Sequence, residues 1–574
     1  MDAKKRYEEW LANPYFDDAV KDELKSIACD EKEIEERFYR DLEFGTGGLR
    51  GIIGAGTNRM NIYTVRKATQ GLANFIRKEN AQEKGVAIAY DSRNMSPEFA
   101  EEAALCLAAN GIKAYIFPSL RPTPMLSFAL RELGCTAGIV VTASHNPPEY
   151  NGYKVYWEDG AQITYPKDEQ IIGEVNAVTD YATVKTMSRE DAENAGLYEV
   201  IGSEIDDRYI AALKFLAIHP EIIREEAQNL KIVYTPLHGT GNLPVRRILK
   251  ELGFEKVYVV KEQELPDGDF PTVSYPNPED KNAFKLALDL AKEVDADIVL
   301  ATDPDADRLG VYAKDTKTGE YMSFTGNMSG MLILEYILSQ RKALGTLPEN
   351  GAVVTTIVSG KMAKPIAGEY GMTLIETLTG FKYIGEQIKF FEQDQDHEYV
   401  FGYEESYGCL VGTHARDKDA VVAVMALCEV AAYCRHQGIT LCDQMEKLFE
   451  KYGYYKENLC TVTLKGQEGA KRIQSMMEQI RANVPETVGD MKVLKFRDYK
   501  EDVTKDCVTG AQEPTGLPRS NVLYFDLEDD AWCCIRPSGT EPKIKFYIGV
   551  KGSDDADAQE KLDTLTKAVE ALAE

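Results

Sequence analysis

One pattern recurs three times along the chain and restricts the fold more than any other feature. An apolar segment leads into a polar loop, a helical stretch, a glycine and a second apolar segment, at 86–117, 231–260 and 353–375. Apolar segments that alternate with helices in this way indicate parallel βαβ units, in which the glycine ends the helix. The copies are a domain apart, whereas solenoid repeats have periods of ~20–50 residues. We therefore expect three related α/β domains in tandem.

The rest of the chain follows a different pattern. Residues 1–40 are charged and helical, which predicts an N-terminal extension packed on the first domain. After Tyr452, apolar strand-like segments outnumber helical ones and follow each other through short turns, which is typical of an α+β domain. The expected fold class is α/β, with three similar domains whose sheets are mixed but mostly parallel, and a C-terminal α+β domain. The predicted domains are 1–208, 209–325, 326–452 and 453–574.

The charge of the chain limits its partners. A formal charge of −28, from 94 acidic and 66 basic residues, repels nucleic acid and anionic membrane surfaces. We expect neither as a partner. Phosphorylated substrates would also be repelled unless the site concentrates its own cations and backbone N–H groups.

Segments that target a protein to a membrane or a secretory route are not evident. No apolar run reaches the ~18–20 residues of a membrane span. The first ten residues lack the apolar stretch of a signal peptide. Eleven cysteines are scattered without a CxxC pair, which fits reduced thiols better than disulfides or a zinc site. These features predict a cytoplasmic protein.

Three carboxylates alternate directly after the apolar segment 297–301. Asp303, Asp305 and Asp307 would repel one another if nothing compensated their charges. Three carboxylates with room for a further oxygen ligand suit Mg²⁺. The alternatives are a solvated acidic turn or a Ca²⁺ loop of the EF-hand type. The EF-hand needs Gly at its sixth position and Glu at its twelfth, where this chain has Arg308 and Lys314. We predict a Mg²⁺ site.

The loop 536–545 has the composition of a phosphate-binding loop. Arg536 can bind phosphate oxygens in a bidentate fashion, while Ser538 and Thr540 add hydroxyl donors. Gly539 lets backbone N–H groups approach closely. The other interpretation is a polar turn before a strand.

The segment 401–408 places acceptors for sugar hydroxyls between glycines. Glu404 and Glu405 are adjacent, so they cannot straddle a glycosidic bond as an acid–base pair at ~5–9.5 Å. Glu404 and Ser406 can instead accept hydrogen bonds from vicinal hydroxyls, although a structural turn is an equal alternative. Loops 377–383 and 414–419 add further polar candidates for substrate binding, which are Thr379, Gly380, Lys382, His414 and Lys418.

A serine follows the apolar segment 137–141. Ser144 could belong to an ordinary turn, since Ser, Asn, Pro and Gly are turn formers. It is not the nucleophile of a hydrolase elbow, because Gly-x-Ser-x-Gly is absent. A serine beside metal-binding carboxylates and a phosphate loop favours a phosphoserine that donates and recovers a phosphoryl group. Pro147 and Pro148 would stiffen the loop. His145 and Lys154 could orient groups or shuttle protons.

Together these stretches resemble the signatures of the α-D-phosphohexomutase family. The four matching segments are Thr142-Ala-Ser-His-Asn-Pro-Pro148, Asp303-Pro-Asp-Ala-Asp-Arg308, Gly402-Tyr-Glu-Glu-Ser406 and Arg536-Pro-Ser-Gly-Thr540. They come in family order, one in each expected domain, and the resemblance spans the chain. It is similar above all to the long bacterial branch that is also related to animal phosphopentomutase. The resemblance implies four domains around a central cleft.

The resemblance also implies roles for these residues. Ser144 would be phosphorylated at rest, with Mg²⁺ held by its phosphate and by the three aspartates. Glu404 and Ser406 would hold sugar hydroxyls, and loop 536–540 would grip the phosphate that is not reacting. The remaining family positions are Arg50 and Lys154 near the reacting phosphate, with Lys154 as candidate general base, and Arg308 and Lys418 lining the cleft.

The activity that the resemblance implies is a phosphoglucomutase acting on sugar phosphates. Glucose 1-phosphate and glucose 6-phosphate would interconvert through glucose 1,6-bisphosphate, which also serves as activator. A phosphopentomutase, a phosphomannomutase and a relative that synthesises the bisphosphate remain alternatives. We expect a monomer or a weak homodimer.

One departure from the bacterial pattern bears on the sugar. Phosphomannomutase/phosphoglucomutases of bacteria carry Gly-His after the sugar-binding serine, whereas this chain has Tyr407 and Gly408, with His414 further on. This favours glucose over mannose and leaves the second acid–base residue open.

Overall fold

The computed structural model describes residues 2–45, 47–464, 466–538 and 543–573. Contacts divide the chain into two compact units, Met1–Ser329 with Phe381–Leu441, and Gly330–Gly380 with Cys442–Glu574.

The helices and strands are numbered in chain order. The helices are α1 (Ala3–Ala12), α2 (Asp18–Ser26), α3 (Glu31–Phe38), α4 (Ile62–Lys78), α5 (Ser96–Ala109), α6 (Thr123–Glu132), α7 (Lys167–Ala177), α8 (Arg189–Asn194), α9 (Ser203–Phe215), α10 (Pro220–Glu226), α11 (Asn242–Leu252), α12 (Lys285–Val294), α13 (Gly326–Ala343), α14 (Ala363–Glu369), α15 (Phe381–Asp394), α16 (Ala420–His436), α17 (Leu441–Tyr452), α18 (Gly466–Ala482) and α19 (Asp555–Ala573). The strands are β1 (Gly48–Ile52), β2 (Val86–Tyr90), β3 (Ala114–Ile116), β4 (Ala137–Val141), β5 (Tyr150–Trp157), β6 (Tyr198–Val200), β7 (Ile232–Thr235), β8 (Val257–Val259), β9 (Ile298–Thr302), β10 (Leu309–Lys314), β11 (Tyr321–Phe324), β12 (Gly351–Thr356), β13 (Thr373–Thr377), β14 (Glu398–Glu404), β15 (Gly408–Val411), β16 (Tyr454–Thr463), β17 (Thr487–Val488), β18 (Met491–Asp498), β19 (Val503–Asp506), β20 (Gln512–Glu513), β21 (Leu523–Leu527), β22 (Trp532–Pro537) and β23 (Lys543–Gly552).

Helices α1 to α3 form the expected N-terminal extension. Each begins after an aspartate (Asp2, Asp17 and Asp30) whose carboxylate accepts a backbone N–H bond in the first turn, which satisfies a donor that the helix itself cannot pair. Trp10 stacks on Phe16 with ring centroids 4.0 Å apart and also packs against the ring edges of other aromatic residues, among them Phe38, Tyr63 and Tyr181. Because Tyr63 belongs to α4, this aromatic cluster attaches the extension to the first domain.

The first sheet has the order β1-β5-β4-β2-β3-β6. Strands β4, β2, β3 and β6 run parallel, whereas β5 pairs antiparallel with both β4 and β1. The strands β2 and β4 are buried along their whole length, as expected for strands covered by helices on both faces. The sheet is mixed, with a parallel majority.

The second sheet has the order β11-β10-β9-β7-β8. The pairs β9–β7 and β7–β8 are parallel, and the pairs β10–β9 and β11–β10 are antiparallel. This sheet is therefore mixed, with equal numbers of parallel and antiparallel pairs. In the third repeat, β12 and β13 are parallel, and further along the chain β14 and β15 are antiparallel.

The glycines of the repeat end their helices in the left-handed conformation. Gly111, Gly253 and Gly371 follow α5, α11 and α14 with φ of 74°, 97° and 73°. Other residues adopt these angles at a cost, which explains why glycine recurs there. Within the repeat the sequence predicts a helix over 242–252, which α11 matches, and a strand over 112–117, of which β3 covers only Ala114–Ile116.

The C-terminal part is an antiparallel sheet with helices on it. Its strands follow the order β16-β23-β22-β21-β18-β19-β20, with β17 beside β18. Helix α19 packs against β16 and β23, and α18 also contacts β23. A core that includes Phe525, Ile535 and Phe546 lies within this domain. It has the α+β character that the sequence predicts.

Helix α16 is unusual because it is buried almost all round. Fourteen of its 17 residues are buried, and the others are Tyr433, Arg435 and His436 near its end. It packs against α10, α11, β10 and β15. No helix in the described part of the chain is long and apolar enough to cross a membrane.

Candidate active site

Ser144 lies just beyond the carboxyl end of β4. Its side chain is buried, and its φ of 51° is left-handed, which is uncommon for a residue with a Cβ atom. The Ser144 N–H donates to Thr142 Oγ1 at 2.8 Å, and Thr142 Oγ1 in turn donates to Asp91 Oδ2 at 2.6 Å. These two bonds fix the serine backbone at the strand end, where open α/β sheets place their ligands.

The serine hydroxyl connects the first sheet to the acidic loop after β9. Ser144 Oγ donates to Asp303 Oδ2 at 2.7 Å and lies 3.3 Å from His145 Nδ1. Burial, followed by the charges of Arg308 and Arg50, lowers the pKa of His145 well below its ordinary value. The structure thus brings Ser144, His145 and Asp303 together.

The three aspartates of the acidic loop are buried and close together. Asp303, Asp305 and Asp307 each offer an oxygen within 4.8 Å of the others. Burial, and then the neighbouring carboxylates, raise the pKa of Asp303 well above its ordinary value, and the pKa of Asp307 is raised for the same reasons. Burial acts to raise the pKa of Asp305 too, but Lys154, a hydrogen bond with Asp303 and the charge of Lys418 together hold it below its ordinary value.

The acidic loop fits a divalent cation. Asp305 Oδ1 and Asp307 Oδ1 are buried and have no hydrogen-bond donor among the described residues. Buried carboxylate oxygens normally have a hydrogen-bond partner, so these two oxygens indicate that a cation can bind here. Asp303 Oδ1 is already held by the backbone N–H groups of Asp307 and Arg308, at 3.0 Å each, which fixes the loop geometry. Three converging carboxylates, two of which have an oxygen without a hydrogen-bond donor, suit a hard cation such as Mg²⁺.

Two lysines contact the acidic loop from different parts of the chain. Lys154 Nζ, on β5, lies 3.0 Å from Asp305 Oδ2, and Lys418 Nζ lies 3.0 Å from Asp307 Oδ2. Burial lowers the pKa of Lys418, but Asp307 and Asp417 more than offset this and raise it. A Cβ atom at Gly408 would lie 2.3 Å from Lys418 Cδ, so the glycine leaves room for the lysine side chain.

Two arginines that the sequence singles out also lie at this loop. Arg308 forms an ion pair with Glu279 and lies 4.0 Å from Asp303 and 3.9 Å from Asp307. Arg50 is exposed on β1. It donates at 3.2 Å to Asn146 Oδ1 in the loop 144–150, which we call the serine loop. Arg308 thus lies beside the aspartates, and Arg50 contacts the loop that carries Ser144.

The predicted sugar-binding residues lie at the end of β14 and in the loop after β15. Glu404 is buried at the last position of β14, and Ser406 is partly exposed in the turn to β15. His414 Nε2 lies 2.7 Å from Asp419 Oδ2, and the ring is close to Tyr209. These contacts give His414 a part in holding the loop 413–419.

The remaining predicted residues are spread over both units. Thr379 and Gly380 belong to the unit with β12 and β13, and Thr379 Oγ1 is buried without a hydrogen-bond partner among the described residues. Lys382 lies in the first turn of α15, in the unit that contains Ser144.

The predicted phosphate loop is described in part. Arg536 is a partly exposed residue of β22, opposite Lys545 of β23, and the N–H of Ser538 donates to the Lys543 carbonyl at 2.7 Å. Gly539 and Thr540 lie outside the described residues.

Several residues that support the site were missed by the sequence reasoning. The N-terminal residue of α6, Thr123, donates through both N–H and Oγ1 to Asp305. Tyr156 donates to Asp417, next to Lys418. Arg93 donates a hydrogen bond to the backbone carbonyl of Ser144. The one available signal was the polar loop 91–96 at the end of β2, because strand ends in parallel sheets collect functional groups.

Four segments of the chain match domains of one and the same protein family. Residues 41–182, 207–318 and 325–452 match the phosphoglucomutase/phosphomannomutase α/β/α domains I, II and III, and residues 480–567 match the C-terminal domain of that family.

Individual relatives agree with the domain matches. The phosphoglucomutase of Staphylococcus epidermidis is 37% identical over 521 residues, which are 90% of this chain and 92% of the relative. That of Staphylococcus saprophyticus is 35% identical over 562 residues, 98% of each chain.

Solved structures share the fold at lower identity. Parafusin, a phosphoglucomutase of Paramecium in an open form, has a TM-score of 0.68 at 18% identity and covers 93% of this chain and 95% of its own. A phosphoglucomutase/phosphomannomutase family protein of Burkholderia thailandensis has a TM-score of 0.64 at 20% identity, covering 92% and 97%.

Proposed function

The chain belongs to the phosphoglucomutase/phosphomannomutase family, and on that premise we propose that it is a phosphoglucomutase interconverting glucose 1-phosphate and glucose 6-phosphate. The observation that carries the proposal is the 2.7 Å bond between Ser144 Oγ and Asp303, which joins a strand-end serine to a buried triplet of carboxylates. Phosphoryl transfer through a serine requires a hydroxyl next to carboxylates that can bind a metal ion.

Ser144 is proposed to carry the phosphoryl group. A sugar hydroxyl forms a new bond to phosphorus while the bond between phosphorus and Ser144 Oγ breaks. The hydroxyl proton passes to a neighbouring base, and Ser144 Oγ takes up a proton from a neighbouring acid as it leaves. Lys154 and His145 are the candidates for this proton exchange because both lie beside Ser144 or Asp305. The product is glucose 1,6-bisphosphate, whose other phosphoryl group returns to Ser144 after the sugar has reversed its orientation. The same bisphosphate, added to the enzyme, phosphorylates Ser144 and so acts as activator.

The metal proposed for the site is Mg²⁺. Asp303, Asp305 and Asp307 would hold it together with the phosphate of Ser144, and it would neutralise negative charge on the phosphoryl group during transfer. Arg50, Arg308 and Lys418 add fixed positive charge around the same position. This concentration of cations offsets the repulsion that a chain of charge −28 exerts on a sugar phosphate.

We propose that hydrogen-bond acceptors of the protein bind the sugar hydroxyls, and that hydrogen-bond donors of the protein bind the second phosphate. Glu404 and Ser406 accept hydrogen bonds from ring hydroxyls, with Thr379, Gly380, Lys382 and His414 as further candidates in that role. Arg536 and Ser538, with Gly539 and Thr540 of the same loop, bind the phosphate that does not react. Arg536 can do so in a bidentate fashion.

Glucose is proposed as the preferred sugar. Its 2-hydroxyl is equatorial, so acceptors such as Glu404 would meet equatorial hydroxyls in both orientations of the ring. Mannose, with an axial 2-hydroxyl, would leave a buried acceptor unpaired, at a cost of about 1–3 kcal/mol or roughly a five- to hundredfold loss.

A coupled assay tests the proposal. We expect kcat/KM for glucose 1-phosphate to exceed that for ribose 1-phosphate and mannose 1-phosphate, at saturating Mg²⁺ and glucose 1,6-bisphosphate. A higher value for ribose 1-phosphate would replace this proposal with a phosphopentomutase, and a higher value for mannose 1-phosphate would replace it with a phosphomannomutase. Formation of bisphosphate without net isomerisation would indicate a synthase.

A further inference from the structure

Arg93 is a fully buried arginine whose guanidinium bonds to backbone groups of the protein. Its side chain has no exposed surface, and its guanidinium donates to four backbone carbonyls of the serine loop. These carbonyls belong to Ser144, Asn146, Pro147 and Tyr150. One side chain thus bonds to four carbonyls of one turn, of which that of Pro147 also accepts the Tyr150 N–H at 3.1 Å.

The serine loop needs such a clamp because its backbone is strained. Ser144 has a φ of 51°, which an L-residue adopts at a cost of about 1–2 kcal/mol and keeps only when its surroundings impose it. The Ser144 N–H is tied to Thr142, and through it to Asp91, while the Ser144 carbonyl is tied to Arg93. The N–H and the carbonyl of Ser144 are therefore both fixed by residues of the polar loop after β2, the N–H indirectly through Asp91 and the carbonyl directly by Arg93.

Arg93 is itself held by two contacts. Asp91 Oδ2 lies 3.4 Å from Arg93 Nε and is equally buried. The Phe270 ring lies over the guanidinium, with 5.1 Å between its centroid and Cζ. Phe270 belongs to the segment between β8 and α12, and next to it Asp269 accepts a 2.7 Å bond from Asn94. The guanidinium is thus enclosed between the first and the second domain.

From this geometry we infer that Arg93 is a positioning residue for the phosphoryl-carrying serine. It acts through the backbone of 144–150, which it holds so that Ser144 Oγ faces Asp303, and the Phe270 ring keeps the guanidinium in place. Arg93 touches neither substrate nor metal ligand side chain in this role. The inference rests on the proposed function, since it is the transfer at Ser144 that needs the fixed geometry. A displacement of about 1 Å at a reacting atom can cost as much as 100-fold in rate.

The test is the steady-state kinetics of Arg93→Lys, a variant that keeps the charge but cannot reach four carbonyls with one ammonium. We expect kcat to fall about ten- to a hundredfold, with KM for glucose 1-phosphate within about twofold of the wild-type value. The rate at which glucose 1,6-bisphosphate phosphorylates Ser144, followed by intact mass, should fall in parallel.

The matched control is Arg59→Lys. Arg59 is also a buried arginine that donates to a backbone carbonyl, that of Asn58, but its ion pairs are with Glu33 and Glu36 of the N-terminal extension. A purely structural loss should lower Tm in both variants and leave kcat of the folded protein unchanged in both. A wild-type kcat in Arg93→Lys would overturn the inference.

Phe270→Leu decides the matter should Arg93→Lys fail to fold. It leaves every hydrogen bond of Arg93 chemically possible and removes only the ring over the guanidinium. We expect a fall in kcat of about threefold or more at unchanged KM, and a wild-type kcat here would overturn the inference in that case. The wild-type protein is assayed alongside. Absence of glucose phosphate turnover in the wild type would overturn the proposed function, whereas normal wild-type turnover with unaffected variants would overturn the positioning role alone.

Discussion

Tyr156 donates a 2.6 Å hydrogen bond to Asp417 Oδ2, and this bond ties β5 of the first sheet to the loop that carries Lys418. Both side chains are buried. Burial, and then the charge of Asp417, raise the pKa of Tyr156 well above its ordinary value, so the phenol remains a donor at physiological pH. Asp417 also lies 3.6 Å from the Lys418 ammonium, and Lys418 in turn contacts Asp307, so three successive contacts join the tyrosine to the acidic loop.

Tyr156→Phe should therefore slow turnover without contacting the substrate. The Asp417 carboxylate loses a buried donor, which costs about 1–3 kcal/mol in stability. We expect kcat/KM for glucose 1-phosphate to fall by about threefold or more, because Lys418 loses part of its support. Tyr7→Phe is the control, since Tyr7 donates to the Leu24 carbonyl at 3.0 Å within the N-terminal extension. Equal kinetics in the two variants would contradict the role of Tyr156.

Ser144→Ala should abolish mutase activity while the fold is kept. Alanine accepts the left-handed backbone about as well as serine does, and the buried Asp303 carboxylate loses one donor, which costs about 1–3 kcal/mol. Intact mass should show a species heavier by about 80 Da, one phosphoryl group, in the wild type and not in the variant. The control is Ser339→Ala in α13, which should behave as wild type. Normal turnover by Ser144→Ala would exclude the phosphoserine.

Asp305→Asn should weaken Mg²⁺ binding because a ligand charge is removed at constant shape. In the wild type, EDTA should abolish activity and Mg²⁺ should restore it, and added Mg²⁺ should raise Tm by mass action on the folded state. In the variant both the activity and the rise in Tm should require more Mg²⁺. Asp289→Asn, at an exposed position of α12, is the control. Full activity of the wild type after exhaustive chelation would argue against any role of a metal.

Arg536→Ala should raise KM because a bidentate contact to phosphate is lost. Hydrogen bonds to charged groups are worth about 1.5–3 kcal/mol, which corresponds to a KM roughly ten- to a hundredfold higher. The exposed Arg519 of the same domain, changed to alanine, is the control. Unaltered KM for both glucose phosphates in Arg536→Ala would place the phosphate contact elsewhere.

Glu33→Gln should lower Tm at neutral pH, and this effect should vanish in acid. The hydrogen bond from Arg37 to Glu33, at 2.7 Å, lowers the pKa of Glu33, although partial burial opposes this. A carboxyl whose folded pKa is depressed stabilises the folded state above the unfolded pKa, about 4.3, and loses this contribution as the pH falls through the folded value. The difference in Tm between wild type and variant should therefore shrink below about pH 4.3. Glu35→Gln, exposed on the same helix, should show little difference at either pH.

The parts of the site that the sequence predicts are those written in a few consecutive residues. Asp303, Asp305 and Asp307 alternate after a buried strand, and Ser144 follows another, so their placement at strand ends could be expected from local pattern alone. The repeat likewise predicts a strand, a helix and a second strand in each of its three segments, with differences of a residue or two at ends such as those of β3.

The supporting contacts could not be predicted in this way. Tyr156 is one tyrosine in an apolar strand, and nothing in its neighbourhood indicates that Asp417 will be its partner. Arg93 follows a strand as the aspartates do, but its contacts to four carbonyls depend on how the loop 144–150 folds back. Such contacts join segments that are distant in the chain, and their recognition requires the packed structure.

Helix α16, apolar on nearly every side, has a consequence for biosynthesis. A helix of this kind has no face that water can solvate well, so it is hazardous for a partly made chain to expose it. The elements α10, α11, β10 and β15, which cover it, all precede it in the sequence. During translation α10, α11 and β10 are therefore made well before α16, and β15 directly before it, so the partners of the helix are available when it emerges. The order of the elements in the sequence thus shortens the time for which this apolar helix is exposed and able to aggregate.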